Sequence, residues 1–156
     1  MLYLITTTSH IFYALIWLFP RKYIQLTDLF NLNTFNFTKS LCILQKILQI
    51  SLLAHLSYNN LIPFLSSINT LNILLILIGQ TLNFLVYYRL GSKGVYYGNR
   101  LGYPIKWVTL FPFNVLRHPQ YIGCVLTLIG LYPLLDLTYI IYACNLYFIT
   151  TYIETY

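Results

Sequence analysis

The 156-residue chain is 58% hydrophobic and 8% charged, far short of the roughly one quarter of charged residues that a water-facing domain carries. Its formal charge of +6 flanks apolar runs instead of forming a soluble basic face, which excludes a nucleic-acid partner and points to the lipid bilayer. A chain of this length holds about four or five spans of roughly 20 residues and no separate soluble domain, so residues 1–156 are read as one integral membrane domain.

In chain order, residues 2–19 form the first apolar run, closed by Pro20-Arg21-Lys22. Because the charge follows the apolar core instead of preceding it, the run reads as a retained membrane segment and not a secretory signal. Whether it crosses or re-enters is left open. The second run, 41–56, carries Lys46, whose long stem lets its ammonium snorkel. The third, 68–88, is the clearest span. The fourth and fifth, 119–135 and 137–153, meet at the punctuation from Pro133 to Asp136 and read as a helical hairpin. The expected fold is all-α, a multi-pass transmembrane helical bundle of four to five membrane segments. Cys42, Cys124 and Cys144 sit apart within apolar runs, as small buried hydrophobes. His10 and His55, alone in such runs, read as structural.

Counting lysines and arginines by loop gives an orientation. Arg21, Lys22 and Lys39 follow the first run, and Arg89, Lys93, Arg100, Lys106 and Arg117 follow the third, whereas residues 57–67 carry none. The positive-inside rule places both basic loops and the end of the fifth run in the cytosol. Glu154 then shares a face with residues 90–123, where the chain gathers most of its charge, glycine and proline. A polar block of this kind between membrane segments is a site candidate.

Three patterns in this region carry chemistry. Asn72, Gly79, Gln80 and Asn83 recur at helical spacing on one face of the third run. They fit either interhelical hydrogen bonding with close packing at the glycine or a cofactor slot. Gly91, Gly94, Gly98 and Gly102 fit a small-residue groove on a helix, or backbone amides exposed to an anion, but match neither phosphate-loop nor dinucleotide spacing. In the run RHPQYIG, from Arg117 to Gly123, Pro119 suits the first turn of a helix. The free amides of that turn, with Arg117 beside them, suit a carboxylate or phosphate, or else the segment is an interfacial anchor.

The segments LGSKGVYYG and VTLFPFNVLRHPQYIG closely resemble the phospholipid methyltransferase family, in its phosphatidylethanolamine N-methyltransferase branch. RHPQYIG is also similar to the signature of isoprenylcysteine carboxyl methyltransferases. The resemblance implies S-adenosylmethionine-dependent methylation of phosphatidylethanolamine or its mono- and dimethyl derivatives towards phosphatidylcholine. It also implies a multi-pass protein of the endoplasmic reticulum membrane, with the mitochondrial membrane a second location. The family's cofactor residues carry over to Leu77, Ile78 and Gly79, where only the second glycine of its G-x-G is present. They carry over again to Glu154 and Thr155, where one acid stands in place of two.

Transfer of a methyl group from a sulfonium to a neutral amine needs alignment and a deprotonated amine, and no metal. Cationic donors and products suit Glu154 and the aromatic faces of Tyr96, Tyr97, Tyr103, Trp107 and Tyr121. Arg100, Lys106 and Arg117 are candidates for the membrane phospholipid's phosphate. His118 is the candidate proton acceptor, with Tyr121 its catalytic companion. The rival readings are an isoprenylcysteine carboxyl methyltransferase-like enzyme and a non-enzymatic membrane scaffold, and a homo-oligomer stays open.

Overall fold

A computed structural model describes residues 1–155. Among them the regular structure is helical throughout: α1 (Leu2–Leu18), α2 (Pro20–Leu29), α3 (Thr34–Ser57), a 3-10 turn (Tyr58–Asn60), α4 (Leu61–Ser67), α5 (Thr70–Val95), α6 (Pro119–Gly130) and α7 (Leu137–Thr155). The five apolar runs all become helices. α3 packs on α1, α1 on α7, α7 on α6 and α6 on α5.

Caps explain where several helices begin. Asn33 precedes α3 and accepts a hydrogen bond from the Asn36 amide at 3.0 Å. Asn69 precedes α5 and forms a reciprocal box with Asn72: each side chain accepts from the other's backbone, at 3.0 and 3.2 Å. Such a cap satisfies donors that the first turn leaves free. Pro20 and Pro119 start α2 and α6, where a proline sacrifices no helical bond.

The sequence pattern does not reveal α2. Pro20-Arg21-Lys22 reads as the end of the first run, yet the proline opens a second helix bent 102° from α1. α2 docks onto α3 through Thr27 and Thr34, whose hydroxyls are 2.7 Å apart, and through Tyr23 and Thr38 at 3.0 Å.

The span count also differs in part from expectation. Two stretches, Thr34–Ser67 and Thr70–Val95, are long and apolar enough to cross a bilayer, and the bent pair Leu2–Leu18 with Pro20–Leu29 makes a third if counted as one. α6, at 12 residues, extends about 18 Å at 1.5 Å per residue. The hydrocarbon layer is about 30 Å thick. Along the outside of the bundle Leu15, Leu74, Phe84 and Phe148 are exposed, as lipid-facing positions are.

Polar contacts tie the helices together. Thr6 and Tyr139 join α1 to α7 through hydroxyls 3.0 Å apart, next to a short hydroxyl pair between Thr7 and Tyr142. Asn72 reaches past its own cap: its Nδ2 donates to the carbonyls of Gly130 at 3.1 Å and Tyr132 at 2.7 Å. That pins the start of α5 to the end of α6.

The closest helix approach lies between α5 and α6. A Cβ on Gly79 would stand 2.5 Å from the Gly123 carbonyl oxygen, and one on Gly123 would stand 2.7 Å from the Gly79 carbonyl oxygen. Each glycine thus gives the other's backbone room. Overpacking typically costs about 1–3 kcal/mol, so Gly123→Val is expected to lower the unfolding midpoint in detergent by several degrees. A thermal scan against Ile122→Val, an exposed neighbour, checks this.

Candidate functional site

α5 breaks at Gly91, whose φ of 64° and ψ of −177° belong to a region open essentially to glycine. The chain resumes one short turn and leaves the helix at Tyr96. Tyr97 follows with φ 59°, an uncommon conformation for a residue with a side chain. Gly102 also has positive φ, 82°. Gly91 thus interrupts α5, Gly94 lies in its last turn, and Gly98 and Gly102 fall in the turns beyond, so the four do not line one helical groove.

The left-handed turn at Tyr97 directs its ring inward. Tyr97 Oη donates to Glu154 Oε1 at 2.8 Å, and Tyr121 Oη donates to the same oxygen at 2.5 Å. Three distant parts of the chain meet there: the exit of α5, the first turn of α6 and the last turn of α7. Tyr97 is buried. Burial, followed by the neighbouring Tyr121 and Glu154, holds its phenol well above the ordinary tyrosine range, so it remains a donor. Arg100 is a cation whose field reaches the carboxylate. Its guanidinium, however, stacks on Trp17, 3.5 Å from the ring centroid.

Beside Glu154 opens a cavity of about 790 Å³, within the range of small-molecule sites. Its walls come from α1, α3, α5, α6, α7 and the segment between α5 and α6. Tyr13, Tyr96, Tyr97, Tyr121 and Tyr147 supply ring surface. Tyr13 lies against Tyr97, and Tyr121 against Tyr147, with centroids 5.8 Å apart in each pair. An acidic oxygen served by neutral phenols and surrounded by ring faces is an environment for a positively charged ligand.

The segment RHPQYIG forms another wall. His118 stands just before α6, yet its ring makes no cap bond. Nε2 instead pairs with Thr155 Oγ1 at 3.1 Å, and the ring stacks on Tyr121 at a centroid distance of 6.0 Å. Arg117 donates through Nη2 to the Thr155 carbonyl at 3.5 Å. Burial, with Arg117 adding to it, pushes the His118 imidazole below its ordinary range, so it is neutral near pH 7 and able to take a proton.

Glu154, Thr155, His118, Tyr121 and Arg117 are thus brought together. Lys106 is exposed and stands off the cavity wall, and Arg100 is committed to Trp17. Leu77, Ile78 and Gly79 also stand apart from the cavity. Leu77 and Ile78 are exposed on the outer face of α5. The space over Gly79 is occupied by Gly123 and Thr127 of α6, so its missing side chain admits a helix where a ligand was expected. Gln80 likewise donates to Thr127 at 2.9 Å: of that polar face, Asn83 alone reaches the cavity. Sequence reading did not assign Tyr13, Lys46 or Tyr147 to the site. Tyr103 packs on Phe35 instead, at 5.2 Å.

The sequence profile of the phospholipid methyltransferase family matches residues 68–155, more than half of the chain. Phosphatidyl-N-methylethanolamine N-methyltransferase of Arabidopsis thaliana is 49% identical over 63 residues, which cover 40% of this chain and 38% of that relative. The aligned segment thus falls well short of the relative's full length. No solved structure matches the chain.

Because Arg117 helps depress His118, Arg117→Gln is expected to move the imidazole's titration towards higher pH, with burial still holding it below the ordinary value. The pH dependence of diethylpyrocarbonate modification, taken as the difference from His118→Gln, measures the shift.

Proposed function

We propose that this chain, which belongs to the phospholipid methyltransferase family, moves a methyl group from S-adenosylmethionine to the amine headgroup of phosphatidylethanolamine or its methylated derivatives, towards phosphatidylcholine. The observation that carries this reading is the Glu154 carboxylate, bonded by Tyr97 and Tyr121 inside a cavity walled with tyrosine rings.

The residues present suit such a donor. A sulfonium and an amino group are cations, and the cavity offers one carboxylate and several ring faces. Glu154 would hold the donor by charge, with Thr155 next to it. When bound, the donor supplies an electrophilic methyl group; the protein need only align the amine and keep it deprotonated. His118 takes the amine proton, steadied by Thr155 Oγ1 and stacked on Tyr121. Tyr121 fixes both the carboxylate and the imidazole, which couples the cation site to the base. Arg117, at the start of α6, attracts the lipid phosphate. Gly79 acts at one remove, by drawing α6 against α5 so that Tyr121 arrives at the height of Tyr97.

A lipid acceptor fits the architecture. The apolar exterior keeps the protein in the bilayer, and its basic loops favour the cytosolic leaflet, in keeping with the endoplasmic reticulum membrane. We assign α1, α3, α5, α6 and α7 to four or five crossings, with α6 completed by the turn that follows it.

The test uses purified protein in nanodiscs with methyl-labelled S-adenosylmethionine and three acceptors: phosphatidylethanolamine, its monomethyl form and a prenylated cysteine. Label is expected in the phospholipids. Label in the prenylcysteine alone would favour the carboxyl methyltransferase, and label in none, with folding verified, the scaffold. Glu154→Gln retains an oxygen for the phenols and removes the charge. It is expected to weaken S-adenosylmethionine binding about ten- to hundredfold, the worth of one charged hydrogen-bonding partner. Calorimetry with the variant measures it, and an unchanged affinity would remove Glu154 from the cofactor site.

A further inference from the structure

We infer that Lys46 of α3, which lines the same cavity as Glu154, is a binding site for the phosphodiester of the acceptor lipid. The inference rests on the methyltransferase reading above and extends it to a residue which that reading leaves unused.

Lys46 lies within α3, part of the long apolar stretch Thr34–Ser67, where a charge is expensive and commonly functional. It lines the cavity together with Cys42, one turn earlier, and Ile47. Its Nζ donates to Gln49 Oε1 at 3.1 Å. Gln49 is itself buried and reaches Ser9 of α1 at 3.5 Å. The ammonium is thus steadied by a neutral amide, with two further donor positions to spare.

The chain has three acids, Asp28, Asp136 and Glu154. Asp28 belongs to α2, and Asp136 to the turn before α7. Glu154 alone lines the cavity, and it is taken by Tyr97 and Tyr121. The cavity thus carries Lys46 on its α3 wall and, where α7 ends, Glu154 together with Arg117, whose guanidinium donates to the Thr155 carbonyl. A zwitterionic headgroup, with an amine and a phosphodiester joined by an ethylene bridge, has the matching order of charge. α3 and α5 both line this cavity, although neither is the other's main packing partner. A lipid whose phosphate meets Lys46 would enter between them with its amine directed towards His118 and Tyr121.

The experiment compares Lys46→Met and Lys46→Arg with the unaltered protein in nanodiscs. One readout is binding of the short-chain lipid dihexanoyl phosphatidyl-N-methylethanolamine, followed by tryptophan fluorescence. The others are the acceptor KM, the S-adenosylmethionine Kd and methylation of N-methyldodecylamine, an acceptor without phosphate. Lys46→Met is expected to weaken lipid binding and raise the acceptor KM on the order of tenfold, the loss of one charge-assisted bond. Cofactor Kd and methylation of the phosphate-free amine stay unchanged, and Lys46→Arg recovers most of the lipid affinity. Unchanged lipid binding in Lys46→Met, or equal losses with and without phosphate, overturns the inference. Lys46-dependent lipid binding without methylation of any acceptor by the unaltered protein would instead retain the phosphate site and remove the methyltransferase reading.

Discussion

The close approach of α5 and α6 is the constraint from which the site follows. Within a bilayer, apolar side chains gain little by leaving lipid for one another, so helices associate through tight packing and hydrogen bonds. Gly79 and Gly123 supply the first, each leaving room for the other's carbonyl. Asn72 supplies the second, at the far end of the same pair. With α6 fixed against α5, Tyr121 on its first turn and Tyr97 at the exit of α5 come within 3.2 Å of each other. Two phenols held at that separation donate to one carboxylate oxygen between them, and the last turn of α7 delivers it.

The site combines rigid helices with one unusual turn. Glu154, Tyr121 and His118 are carried on or next to helices, whereas Tyr97 depends on the break at Gly91 and on its own left-handed backbone. Non-glycine residues in that region cost free energy. The two hydrogen bonds converging on Glu154 and the burial of the Tyr97 ring offset the strain. The charged groups of the cavity, Lys46, Arg117 and Glu154, come from separate elements.

Much of this was legible in the amino-acid order, and the failures have physical causes. The five apolar runs became helices because burial in lipid demands internally bonded backbone, and hydrophobic length reports that demand directly. Pro119 marked the start of α6, and the loop charges placed Glu154 at the same end as residues 90–123, as the bond from Tyr97 requires. The bend before α2 was hidden because a proline after an apolar run serves equally to end one helix and to begin another. Gly79 left two readings open because small residues permit close approach by a ligand or by a helix, and spacing along one segment does not distinguish the two; α6 fills the space where its Cβ would stand. Tyr13 and Tyr147 were not assigned to the site, and Lys46 was read only as snorkelling, since a polar side chain within an apolar run becomes informative only when its neighbours from other helices are known.

The fold closes its anionic corner with residue 154, more than thirty positions after Tyr121. During ribosomal synthesis both phenols are made before the acid that they clasp. Until that residue is added, the corner has its phenols and the neighbouring cations Arg100 and Arg117 but not the carboxylate. The last turn of α7 thus adds the carboxylate to phenols already made, an ordering in time imposed by connectivity alone.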